Sequence, residues 1–188
     1  MRYAAIEFCE YTLTWRQTIE KHRVNVGVID YDITPPDCST VVTVLYADHN
    51  GTRILPITQK SLDNTIDMWR DIKTQQDVIQ FYYLPDRSTL RFLCSPSVFA
   101  SKIIHYELVY APSVDTEVLP DILYRYHLDS ICKGAKSRLF MMQGVEWTNP
   151  NLSVYYRTEF ERAMKKEKSD RMNDYTRTST LRIQPISY

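Results

Sequence analysis

The chain has 188 residues, enough for one well-buried folding unit with extended ends and short for two independent domains. Its 23 basic and 23 acidic side chains cancel, which excludes a global field drawing it to nucleic acid or anionic membrane and leaves only local or steric contact with DNA. No apolar run approaches the roughly 20 residues that span a bilayer, and Cys9, Cys38, Cys94 and Cys132 form no Cys-x-x-Cys pair, so we expect reduced thiols and no membrane partner.

The opening carries no basic, apolar, small-residue leader pattern. In "RYAAIEFCEYTLTWRQTIEK", Ala5, Phe8, Thr12, Trp15 and Ile19 recur at steps of three and four, with Glu7, Glu10, Thr14, Gln17 and Lys21 on a separate row. The spacing predicts an amphipathic helix. Composition then turns β-branched and aromatic. "VNVGVIDYDIT" and "TVVTVLYAD" read as strands, Asn50-Gly51 as a two-residue hairpin turn, and "RILPIT" as the returning strand. "SLDNTIDMWRDI" reads as a short helix capped by Ser61, with Leu62, Ile66 and Trp69 on one side. "VIQFYYL" and "TLRFLC" flank the turn "PDRS", and "KIIHYELVY" completes a mostly antiparallel middle.

After "APSVDTEVLP" the period is again helical. Tyr124, Leu128, Ile131, Ala135, Leu139 and Met142 make one stripe, and Asp121, Arg125, Asp129 and Lys133 a solvated row of i,i+4 ion pairs. Met141-Met142-Gln143-Gly144 ends this helix, with Gly144 free to turn left-handed. Asn149-Pro150 starts the next, since Asn caps well and Pro at the first helical position loses no needed hydrogen bond. Leu152, Tyr156, Phe160 and Ala163 form its apolar face. Beyond about Met172 the chain is polar and then alternating, an extended strand with Leu181, Ile183 and Ile186 on one side.

The fold class expected is α+β. A helical bundle, made of an N-terminal helix (1–21) and a C-terminal helical hairpin (113–172), carries an inserted antiparallel β domain with one short helix (22–112) and an extended C-terminal arm (173–188).

Little in the sequence points to catalysis. His22, His49, His105 and His127 lie on different elements without the one-face spacing of a metal site, so no metal or cofactor is implied. Cys132 and His127 are five apart on one helix, which sets them on diverging faces. Phosphate-binding glycine loops are absent. Asp121 and Asp129 fit a solvated row better than an acid/base pair. We therefore expect no enzyme.

Two segments stand out as contact candidates. Residues 157–182 hold eight basic and five acidic side chains, and Lys165, Lys166, Lys168 and Arg171 are a candidate face for a polyanion or an acidic partner, weighed against a merely solvated helix face. Trp147, in the elbow "MMQGVEWTNPN", is read either as a partner hot spot or, favoured slightly, as a plug for the hairpin's open end, with Met141 and Met142 filling space beside it.

The order of elements and the stretch "LPDILYRYHLDSICKGAKSRLFMMQGVEWTNPNLSVYYRTEFERAM" resemble the head-to-tail adaptor (connector) proteins of tailed bacteriophages. The resemblance covers most of the chain loosely and residues 119 to 164 closely. It rests on Leu119-Pro120 before a helix, Gly134-Ala135-x-x-Arg138-Leu139 within it, a Met-x-Gly elbow, Trp147-x-Asn149-Pro150 opening the second helix, and Phe160 beyond a Tyr-rich first turn. Relatives carry further sequence before the first helix and a basic or proline position where Val145-Glu146 stands here.

The resemblance implies a non-enzymatic virion protein of the neck or tail, assembled in the host bacterial cytoplasm. It implies a ring, usually of twelve copies, beneath the portal protein. DNA would pass through it without sequence-specific binding, and tail tube, nozzle or fibre proteins would assemble on it. Trp147 and the arm residues Leu181, Arg182, Ile183, Ile186 and Tyr188 are then the candidate portal or subunit contacts, the arm by strand addition. Two other classes compete: a β-sandwich module binding carbohydrate or peptide through Phe81, Tyr82, Tyr83 and Tyr106, and a small DNA-binding protein using the basic stretch after Arg162.

Overall fold

The structure, a computed structural model, describes residues 1–65, 69, 75–98 and 103–173. Helix α1 (Arg2–Thr12) buries Ala4, Ala5, Phe8, Cys9 and Thr12. It is shorter than the helical spacing predicts. Leu13 turns left-handed (φ 56°, ψ 40°) and its N–H closes on the Cys9 carbonyl at 2.9 Å. The Thr12 hydroxyl donates to the Phe8 carbonyl at 2.7 Å, and the Thr14 hydroxyl to Thr12 Oγ1 at 2.7 Å. The chain then continues as strand β1 (Arg16–Arg23). Trp15 and Ile19 misled the helical reading because residues four apart share a side in a strand as well as in a helix. The β-branched Thr14, Thr18 and Ile19, and a long ladder to join, decide for the strand.

Nine further strands follow: β2 (Asp30–Asp32), β3 (Ser39–His49), β4 (Thr52–Arg53), β5 (Leu55–Pro56), β6 (Gln75–Gln76), β7 (Phe81–Tyr83), β8 (Thr89–Phe92), β9 (Ser95–Pro96) and β10 (Ile103–Pro112). They make one four-stranded sheet in the order β1-β10-β3-β4, a second in the order β2-β8-β7-β5, and a β6-β9 pair. The long ladders are antiparallel, with short parallel pairings at β5–β7 and β6–β9. Asn50 (φ 52°) and Gly51 (φ 75°) supply the two positive φ angles of the hairpin turn. The returning strand forms a two-residue ladder with β3 at Thr52 and Arg53. At Ile54 the chain crosses over: the Ile54 N–H bonds the Ala47 carbonyl, whereas the Leu55 N–H bonds Gln80, in the other sheet's loop, both at 2.8 Å.

Helix α2 (Gln59–Thr65) begins before Ser61, whose N–H is accepted by the Thr58 hydroxyl at 3.2 Å, so Thr58 does the capping expected of Ser61. Leu62 and Trp69 pack with Tyr83 in a small satellite cluster, while Ile66 lies outside the described residues.

The two sheets enclose one core, with Val41, Val44, Ile54, Leu90, Phe92 and Leu108 among its members. Tyr82, Tyr83 and Tyr106 are buried and Phe81 is half-buried. The rings proposed as a ligand platform therefore serve as sheet interior, as apolar rings on a pleated surface should. Strand β10 works on both faces. Ile104, Tyr106, Leu108 and Tyr110 face the sandwich core, and Ala111 joins the helical core of Phe8, Leu123, Ile131, Phe160 and Met164. The bundle, made of α1, α3 (Asp121–Phe140) and α4 (Pro150–Met172), thus packs on the outer face of the β1-containing sheet, and Trp15 touches both cores.

The buried face of α3 is not the expected stripe. Leu123, His127, Ile131, Gly134 and Ser137 point inward, whereas Tyr124, Leu139 and Met142 are exposed; Ile131 alone belongs to both sets. Helix α4 is rotated likewise, burying Ser153, Phe160 and Met164 while Leu152 is exposed. The cause is close helix approach. A Cβ added at Gly134 would sit 3.0 Å from Ala4 Cβ and 3.0 Å from the Phe160 ring, and the Ser153 hydroxyl donates to the Ser137 carbonyl at 2.8 Å. Small residues win the contact line because larger ones cannot enter it. The solvated row of α3 is as expected, with Asp121–Arg125 at 3.2 Å and Asp129–Lys133 at 2.9 Å.

Candidate interaction surface at the hairpin tip

The elbow between α3 and α4 is shut by polar groups. Gly144 takes φ 76°, the Asn149 N–H bonds the Phe140 carbonyl at 2.9 Å, and the Thr148 hydroxyl bonds the Val145 carbonyl at 2.8 Å. Asn149 Oδ1 accepts the Leu152 N–H at 3.1 Å, with Pro150 in the first turn, which is the cap that the sequence predicts. Just inside, the Phe140 and Tyr156 rings stack at 5.7 Å and 9°, and the Lys136 ammonium lies 5.3 Å from the Tyr156 centroid.

With the opening filled in this way, Trp147 does not plug it: its side chain is 55% exposed, and Met141 and Met142 are exposed beside it. The Phe140–Tyr156 stack does that work. The tip therefore presents Met141, Met142, Trp147, Val154 and Tyr155 to solvent on a hydrogen-bonded frame. Aromatic rings and adaptable methionines on a fixed scaffold are the composition of an interface core. Below the tip, Glu7 receives Arg138 at 2.9 Å and Arg157 at 2.7 Å, and Arg157 also reaches Glu161 at 2.7 Å. This belt ties all three helices, and the hydrogen bond to Glu161, then that to Glu7, raises the pKa of Arg157 further.

At the other end of the bundle, His127 Nε2 stands 3.7 Å from Glu167 Oε1 and the His127 ring 5.0 Å from Phe8. Arg171 donates to the Thr14 carbonyl at 2.9 Å, pinning the end of α4 to the link between α1 and β1. These groups line a cleft of about 430 Å³ with Ile122 and Tyr126. Burial lowers the His127 pKa and the Arg171 charge lowers it further, against an upward pull from Glu167. Sequence reasoning missed this cluster because His127 lies forty residues from Glu167 and more than a hundred from Phe8 and Thr14, and only the packing of distant segments joins them.

The four basic candidates do not share one face. Lys165 and Lys166 are exposed, but the Lys168 ammonium sits 4.7 Å from the Tyr11 ring centroid and Arg171 is directed at Thr14. The histidines stay apart: His22 meets Tyr106 at 3.2 Å, His49 accepts the Ile79 N–H at 3.0 Å, and His105 lies on β10. Among the described residues no His, Cys, Asp and Glu cluster could hold a metal, and no helix is long and apolar enough to cross a membrane. Leu181, Arg182, Ile183, Ile186 and Tyr188 lie outside the described residues.

Among family models, that of the SU10 adaptor protein matches residues 3–184. The chain belongs to this family. The SU10 adaptors are bacteriophage head-to-tail adaptors, structural and non-catalytic proteins of the virion that engage their own kind, the portal and the tail. A search of curated proteins finds no match. The match takes in the helices α1, α3 and α4 and both sheets, and runs on to Gln184.

Proposed function

We propose that this adaptor forms a ring of twelve copies beneath the portal, conducts DNA through its channel without gripping it, and offers its outer surface to tail components. The observation that carries this reading is the exposed apolar tip on a rigid hairpin in a chain matched to the adaptor family over residues 3–184. Formal neutrality fits a conduit, since sliding DNA must not release counterions to a basic wall.

In this reading residues 1–21 and 113–172 build the ring wall, with β1 joining the 22–112 part, which lies outside and receives fibres or other tail proteins. Trp147 is a portal or subunit contact. Leu181, Arg182, Ile183, Ile186 and Tyr188 make the second such contact, the arm pairing as a strand with portal or neighbouring backbone. Lys165 and Lys166 face an acidic partner or passing polyanion, while Lys168 and Arg171 are held by the bundle.

Mixing the chain with its portal and imaging negatively stained particles tests the proposal. Wild type should add a ring to the portal. Trp147→Ala should leave the melting temperature unchanged, because the indole is largely in solvent, and weaken attachment at least tenfold. A wild-type chain that stays monomeric and unattached would refute the reading.

A further inference from the structure

Helix α3 carries two apolar faces, and its own fold uses one. Leu123, His127, Ile131, Gly134 and Ser137 are consumed by α1 and α4. The row Tyr124, Leu128, Ala135 and Leu139 is spaced by four, seven and four residues, which keeps it on one side of a helix. Its two ends are open to solvent, while Ala135 packs partly against the helical core. Tyr124 is 59% exposed and Leu139 50%, with Leu128 and Ala135 half-buried between them. The flanks are occupied: α1 meets α3 at Gly134 and Arg138, and α4 meets it at Lys136, Ser137 and Phe140.

We infer that this outer face of α3 is the lateral contact of the ring, covered by a second copy of the chain. The inference rests on the ring reading above and names the surface that reading leaves open. Charge supports it. The row is bordered by the Asp121–Arg125 and Asp129–Lys133 pairs, which satisfy themselves at 3.2 and 2.9 Å, so closing a partner over the apolar strip strands no lone charge. An apolar centre with a self-neutralised polar rim is the layout of a protein interface.

Area supports it too. A tyrosine offers about 200 Å², so the half-open row presents on the order of 300 Å², at the size where a monomer's apolar patch is commonly functional. One partner of a standard interface contributes roughly 800 Å². The row thus supplies the centre of such an interface and the ion-paired border the rest. Its run from residue 124 to 139 covers about 22 Å of helix, a long strip suited to a neighbour lying alongside. A closed ring joins unlike faces head to tail, so each copy presents this strip to a different surface of the next.

The test is the Tyr124→Glu/Leu139→Glu double variant of the full chain, with Tyr126→Glu, an exposed tyrosine on another side of the same helix, as control. Sedimentation with portal and negative-stain imaging read assembly, and circular dichroism reads folding. Because both positions are exposed and Glu suits a helix, the double variant should melt like wild type. It should lose ring assembly at least a hundredfold, while Tyr126→Glu assembles normally. Normal rings from the double variant would overturn the inference and leave the ring reading intact. Normal rings that fail to attach to the portal would also overturn it, assigning the strip to the portal. Wild type that forms no ring would overturn both.

Discussion

Gly134→Ala sets two effects of known size against each other. In a solvent-exposed helix interior the change stabilises by about 1 kcal/mol, because alanine costs less backbone entropy. Here the new Cβ would lie 3.0 Å from Ala4 Cβ and 3.0 Å from two atoms of the Phe160 ring. Carbon pairs prefer about 3.5 to 4.0 Å, so the helices must part by roughly half an ångström. Neither neighbour has slack: Ala4 is 1% exposed and Phe160 fully buried. Overpacking of this kind costs about 1–3 kcal/mol. The net expectation is a loss of about 1 kcal/mol, or about 2–4 °C in melting temperature for a chain of this length. Thermal and urea unfolding followed by circular dichroism measure it. Adding Ala4→Gly removes one of the clashing atoms, so the double variant should be more stable than the two single effects summed. A Gly134→Ala protein as stable as wild type, or more so, would refute the three-helix contact at this position.

Two further predictions use the same assays. Asn149→Ala removes the acceptor for the Leu152 N–H and should cost about 1 kcal/mol, read as a lower urea midpoint; no change would mean that the elbow is held by Thr148 alone. His22 and His127 both have pKa values lowered chiefly by burial. In the unfolded chain each takes up a proton near pH 6.5, above its folded value. Their contribution to stability is therefore fully present above about pH 6.5 and is lost as pH falls from there through the folded values. The urea midpoint should drop between pH 7.5 and 5.5, with His127→Gln reducing the drop, and a flat profile would contradict the burial of these rings.

The sequence by itself determined the class of fold, the helical hairpin and the local signals that cap and turn the chain. Asn149-Pro150 wrote its cap, Asn50-Gly51 its turn, and Asp121, Arg125, Asp129 and Lys133 their solvated row, because each depends on residues within four positions of one another. Local chemistry is enough for those. It was not enough at Trp15 and Ile19, whose spacing satisfies both periods, so only the ladder offered by β10 ended α1 at Thr12. Nor could it say which of two apolar rows on α3 would face inward. That choice fell to shape: three helices can meet only where Gly134, Ser137, Ser153 and Ala4 let their backbones approach, and Tyr124 and Leu139 of the other row were left outside. The same crossing gathered His127, Glu167 and Arg171, and the Phe140–Tyr156 stack released Trp147 to the surface. Periodicity reports that a side chain is apolar; only packing against distant segments decides whether its own fold or another molecule covers it.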